Sequence, residues 1–169
     1  MRRNHMVVTV FASLLIATLR GPTQASEAPA SAPSPTRGGA TGFKDYDRIR
    51  QALASDSLEN VHEYAKAMES DLRGVAGSGR PEAAEAAKAA EQLAGVSALE
   101  AARNSFKSLS DSYIRFLEQA NATGELTRFH CPMAKADWVQ ADRPAANPYF
   151  GASMLRCGAV VPWKEKASK

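Results

Sequence analysis

Two short stretches near the C-terminus gather most of the side chains able to do chemistry: "HCPM" at His130–Met133 and "NPYFGASMLRC" at Asn147–Cys157. Between them they hold both cysteines of the chain, two of its five methionines and one of its three histidines. Thiolate and thioether sulfur favour Cu(I) and its soft relatives, and imidazole suits copper as well. His130, Cys131, Met133, Met154 and Cys157 therefore form a candidate ligand set for Cu(I) or Ag(I). The spacing permits convergence, because Cys131 and Met133 share one side of an extended strand while Met154 and Cys157 share one face of a helical turn. Zinc fits less well, since a structural zinc takes four Cys or His ligands.

The same cysteines admit a different reading, a Cys131–Cys157 disulfide. Two thiols in an oxidising compartment pair by default, and closing a loop of this length stabilises by roughly 3–4 kcal/mol on the chain-entropy model. Both readings stand at this level, and even a disulfide would leave Met133, Met154 and His130 as a thioether–imidazole set. An enzyme is not expected. His130 is the sequence neighbour of Cys131, a position from which the two side chains diverge, and neither a CxxC pair nor a Gly-rich phosphate loop after a strand is present. Asp137 and Asp142 read as turn or surface carboxylates, and His62 as a solvated helix residue.

The redox context comes from the other end of the chain. Arg2 and Arg3 precede an apolar run, "MVVTVFASLLIATL" at Met6–Leu19, and "TQA" at Thr23–Ala25 supplies small residues for cleavage. This is the pattern of a signal peptide over residues 1–25, with export to the periplasm or the exterior and no stable membrane span after cleavage. The alternative is a retained anchor. The formal charge of +3 arises from 21 basic and 18 acidic residues, and three of the basic ones, Arg2, Arg3 and Arg20, lie in that leader. The remainder has 18 of each and is neutral, so the pI near 9.0 reflects targeting, and nucleic acid is not an expected partner.

Residues 26–42, rich in Pro, Ala, Ser and Gly, cannot bury enough apolar surface to offset chain entropy and read as a disordered linker. A domain follows over residues 43–163, with a short tail at 164–169. Phe43, Tyr46, Ile49 and Leu53 recur at helical spacing; Asp56 with Glu59 is placed to cap a second helix carrying Leu58, Val61, Ala65, Met68 and Leu72. Pro81 and Gly95 bracket a third helix that presents Ala84, Ala87, Ala90 and Leu93 inward. "SALE" at Ser97–Glu100 is a capping box before Leu99, Ala102, Phe106, Leu109, Tyr113 and Phe116 or Leu117. The expectation is an all-α fold, a four-helix up-down bundle with an irregular C-terminal cap holding a short strand or two, at Trp138–Gln140 and Ala159–Val161.

"CPMAKADWVQ" followed by "NPYFGASMLRCG" resembles a bacterial exported domain of unknown function that also occurs fused to periplasmic adaptor subunits of heavy-metal efflux pumps. The resemblance implies a helical domain of the cell envelope tied to copper or silver efflux. It places Cys131, Met133, Met154 and Cys157 on its motif positions, but not His130. The function expected is a soft-metal accessory protein whose partner is an envelope metal-efflux complex. The alternative is a disulfide-stapled interaction module that presents Trp138, Tyr149 and Phe150 to another envelope protein.

Overall fold

The computed structural model divides into residues 1–33 and 34–169, and it describes residues 40–164, all in the second unit. The expected leader, nearly all of the linker and the end of the tail lie outside the described residues. Among the described residues no helix is long and apolar enough to cross a membrane.

Four helices come first: α1 (Phe43–Ala54), α2 (Val61–Gly77), α3 (Glu82–Ala94) and α4 (Leu99–Ala120). Consecutive helices pack on one another, and connections of four to six residues make such neighbours antiparallel. The apolar stripes face inward as their spacing requires: Tyr46, Ile49 and Leu53 of α1, Ala65, Met68 and Leu72 of α2, and Phe106, Leu109, Tyr113 and Leu117 of α4 are fully buried. α3 departs from its expected face. Ala84 is exposed, whereas Ala83, Ala86, Ala87, Ala90 and Leu93 are buried, a wider small-residue face that lets α3 lie close to both α2 and α4.

Two expected caps are also corrected. α2 begins at Val61 behind Asn60, with no side-chain cap bond, because Asp56 turns instead to Arg103 on α4 and to the backbone N–H of Ala152. α4 begins behind Ala98, again without a side-chain cap bond, so the Ser97–Glu100 box is not formed. A capping pattern states only what a side chain can reach locally, and at Asp56 a cationic partner from another helix competes.

The larger correction concerns the cap. The domain is mostly helical, but its C-terminal part is an ordered three-stranded antiparallel sheet, β1 (Thr127–Cys131), β2 (Ala136–Gln140) and β3 (Ala159–Val160), in the order β2-β1-β3. The central strand β1 is the one that sequence reading misses. Its register sets Phe129 opposite Trp138 and His130 opposite Asp137. Alternation along a strand then divides the hairpin into two faces. One carries Arg128, His130 and Asp137, and Arg128 reaches Glu118 on α4 through Nη1 at 2.9 Å. The other carries Phe129, Cys131 and Trp138, with the Phe129 and Trp138 rings stacked at 5.2 Å. The segment from Ala145 to Gly158 closes over that second face. A Cβ at Gly158 would overlap the Trp138 indole, so only glycine lets the chain pass there.

Two aromatic side chains join sheet to bundle. Tyr149 packs between Phe106 of α4 and Trp138 of β2, 6.1 and 6.0 Å from their ring centres. Tyr46 shares a 2.5 Å hydrogen bond with Ser110, and its oxygen accepts the Val139 backbone N–H at 3.2 Å.

Candidate functional site

Cys131 ends β1 and is completely buried; Cys157 follows the 3-10 turn Gly151–Met154 and is half-buried. The fold brings them from separate segments to a sulfur–sulfur distance of 4.0 Å. Both are free thiols, about twice as far apart as a bonded pair, in which the separation is about 2.05 Å.

The surroundings of Cys131 are built from N–H donors. The Ala134 backbone N–H points at its sulfur at 3.4 Å, and the Asn147 side-chain amide does so at 3.3 Å. The same Asn147 nitrogen donates to the Cys157 carbonyl at 2.7 Å. Asn147 is fully buried, and its oxygen accepts the Tyr149 backbone N–H at 2.8 Å. That bond fixes the amide orientation, since an N–H can only be met by the oxygen, which leaves the NH2 group toward the cysteines. Partial burial pushes the Cys157 thiol up from its ordinary value, and the hydrogen bond and charge of Cys131 push it further. The Tyr149 phenol, whose titration is raised mainly by burial, donates to the Asp137 carbonyl.

The loop that delivers Cys157 is clamped from below. Arg103 on α4 donates to the Pro148 carbonyl at 3.2 Å and to the Leu53 carbonyl at 3.0 Å while pairing with Asp56. Asp56 in turn accepts the Ala152 N–H at 3.0 Å. Gly151, at φ +54°, sits against this pair where any Cβ would overlap the Asp56 carboxylate. The "NPYFG" turn is thus held by backbone-directed bonds, with Tyr149 as its buried anchor.

The remaining expected ligands are placed unevenly. Met154 ends the 3-10 turn and is half-buried, three residues before Cys157. Met133, in the β1–β2 turn, is 65% exposed. His130 is not brought to the pair: it alternates with Cys131 onto the opposite face of β1, where its Nδ1 meets Asp137 at 2.6 Å. Asp137 is accordingly no solvated turn residue but the ion-pair partner of Arg128 and a hydrogen-bond partner of His130. His62 is exposed on α2 as expected, with its Nδ1 2.5 Å from the Ala94 carbonyl. Trp138 and Tyr149 are buried, so neither faces a partner as the interaction-module alternative requires.

Among the described residues no three His, Cys, Asp or Glu side chains cluster as a metal group; the candidate centre is a sulfur pair. A cleft of about 390 Å³, lined in part by Lys107, Asp111, Arg128, Lys135 and Asp137, contains neither cysteine. Asn147 is the site residue that sequence reasoning missed. Its position before Pro148 reads as turn chemistry, and no local signal distinguishes a turn asparagine from one aimed at a sulfur.

Fold and site together define a four-helix domain whose C-terminal sheet and loop bring a buried and a half-buried thiol together. Residues 43–125 match the profile of a family described as a protein of unknown function, DUF3347. The matched span covers the four helices and stops short of β1, so both cysteines lie beyond it. No curated protein and no solved structure matches the chain.

Proposed function

We propose that Cys131 and Cys157 bind a soft monovalent ion, Cu(I) or Ag(I), and that the protein is an accessory to metal handling or efflux in a bacterial cell envelope. The observation that carries the reading is the 4.0 Å separation of two free thiols inside a scaffold that aims two N–H groups at one of the sulfurs. The donor set fits such an ion. Metal–thiolate bonds are about 2.3 Å long, so both sulfurs can reach one ion, and thiolates select soft metals. Hydrogen bonds to a ligating sulfur orient it and tune the metal it holds. Met154, half-buried three residues before Cys157, supplies the more sheltered thioether, and Met133, two residues after Cys131 and 65% exposed, is suited to first contact with incoming metal. The envelope setting rests on the leader-like residues 1–25 and on the resemblance of "CPMAKADWVQ" and "NPYFGASMLRCG" to an exported domain that also occurs fused to efflux adaptors.

The test is a titration of the reduced chain with Cu(I) against a competing chelator. Binding of one ion is expected, abolished in Cys131→Ser and in Cys157→Ser, weakened in Met154→Leu and least affected in Met133→Leu. Affinity unchanged by both cysteine replacements would sink the reading. A second reading is a redox staple, for which the support is that the two thiols, unbonded at 4.0 Å, come from separate segments to meet, and the chain has no other cysteine. A chain isolated two hydrogens lighter than its reduced mass, with no metal, supports that alternative.

A further inference from the structure

Asn147 spends its whole hydrogen-bonding capacity on this one site. Its NH2 group is shared between the Cys131 sulfur and the Cys157 carbonyl, its side-chain oxygen takes the Tyr149 N–H, and its backbone N–H donates to the Leu155 carbonyl at 2.8 Å. Its backbone carbonyl accepts the Gly151 N–H at 3.2 Å. A single buried residue therefore touches the inner sulfur, the backbone of the outer cysteine and both ends of the turn between them.

We infer that Asn147 is the positioning residue of the thiol pair, holding Cys157 at bridging distance from Cys131 while donating to the Cys131 sulfur. This deepens the metal-binding reading and rests on it for the choice of ligand, but the spacing role is a property of the thiols alone. Chemistry explains why the residue is an amide. Aspartate would turn acceptors toward a carbonyl and a sulfur, which repel them. Leucine would keep the volume and leave three buried polar groups without their partner.

The experiment separates spacing from metal choice by using two probes on the full reduced chain. The first is an organic arsenic(III) oxide, which forms As–S bonds to two thiols at once and releases one water; the second is Cu(I) against a chelator. In Asn147→Leu, with folding checked by its thermal melt, affinity for both probes is expected to fall roughly 10–100-fold, the range for loss of a group that orients a metal ligand. Alkylation of the half-exposed Cys157 by a monofunctional reagent is expected to change far less. Asn147→Asp is expected to weaken both probes further, and Asn147→Ser, which retains one donor, to recover part of the loss.

Wild-type affinity for the arsenical in Asn147→Leu overturns the inference. So does a wild-type chain that takes up no arsenical, whatever Cu(I) does. A chain that binds the arsenical in an Asn147-dependent way but ignores Cu(I) refutes the metal reading and upholds the positioning role. Should the leucine variant not fold, the side-chain amide resonances of Asn147 in the wild-type chain decide: they are expected to shift on arsenical binding, and their constancy overturns the inference.

Discussion

In α3 the buried face consists of Ala83, Ala86, Ala87, Ala89, Ala90, Leu93 and Ala94, with no polar side chain among them. In the cap, by contrast, Gln140 and Asn147 are as deeply buried as Trp138. Gln140 alone ties the Trp138 indole N–H, the Ala146 N–H and the Pro144 carbonyl together. α3 is held to its neighbours by periodic apolar contact, although elsewhere in the bundle Tyr46 of α1 also hydrogen-bonds to Ser110 of α4. The cap is held by directional bonds, local ones at Gln140 and longer ones at Asn147, which reaches Cys131 sixteen positions away, and among the described residues no buried side-chain N or O lacks a partner. A two-sulfur site belongs in the second kind of environment, because ligand spacing must be set to fractions of an ångström and hydrogen bonds fix geometry where apolar packing alone does not.

That contrast is open to attack at several points. The largest effect is expected from Trp138→Ala, which removes the stacked partner of Phe129 and the surface over which Gly158 passes. A loss of about 3–5 kcal/mol in chemical denaturation is predicted, together with faster alkylation of Cys131. If Cys131 stays protected, the cap does not depend on its aromatic centre and the contrast is broken. Next comes Ala90→Leu in the bundle, where α3 lies close to its neighbours. Overpacking there is expected to cost about 1–3 kcal/mol while leaving thiol reactivity unchanged, a result that would show the two regions respond separately.

Tyr46→Phe tests their junction. It deprives Ser110 and the Val139 N–H of the phenol oxygen they share, and a loss of about 1 kcal/mol is expected, read from the denaturation midpoint. A neutral outcome would mean that the phenol oxygen adds nothing to the packing and the Arg128–Glu118 pair at this junction.

The smallest effect concerns the Asp56 clamp under the Cys157 loop. The hydrogen bond from Arg103, aided by the Ala152 N–H, holds this carboxyl below its ordinary value of 3.8. A depressed folded value means that the carboxylate adds stability above pH 3.8 and loses it as the pH falls through the lower folded value. Asp56→Asn is therefore expected to melt slightly below the wild type at neutral pH, with the gap closing in acid. A gap that persists unchanged at low pH would show that the clamp is not electrostatic.

How much of this was legible beforehand differs between the regions for a physical reason. Helical stripes repeat within three or four residues, so Tyr46, Ile49, Leu72, Phe106 and Leu117 announce their burial locally. Even there, α3 defeats the method in detail, because in a run of alanines nearly every face is apolar and only the neighbours choose among them. Strand β1 is five residues long, with Arg128 and His130 alternating with Phe129 and Cys131, too short a pattern to declare itself before the turn at Pro132. Its partners lie five to thirty-one positions away in the register. Caps failed for a related reason, since Asp56 satisfies the local rule and still goes to Arg103, a residue 47 positions away.

The sequence by itself determined the inventory: four amphipathic or alanine-rich helices, a Pro- and Gly-punctuated end, and a short list of sulfur-bearing residues within it. Side-chain type and periodicity are local properties, so they survive translation into one dimension. Only the tertiary structure decided which members of the list meet. Strand alternation sent His130 to the face opposite Cys131, the hairpin turn left Met133 in solvent, and the clamp of Arg103, Asp56 and Gly151 brought Cys157 home. Which side chains converge depends on chain reversals and on buried polar atoms finding partners, and Asn147, ordinary in the sequence, became central because both cysteines lie within reach of its amide.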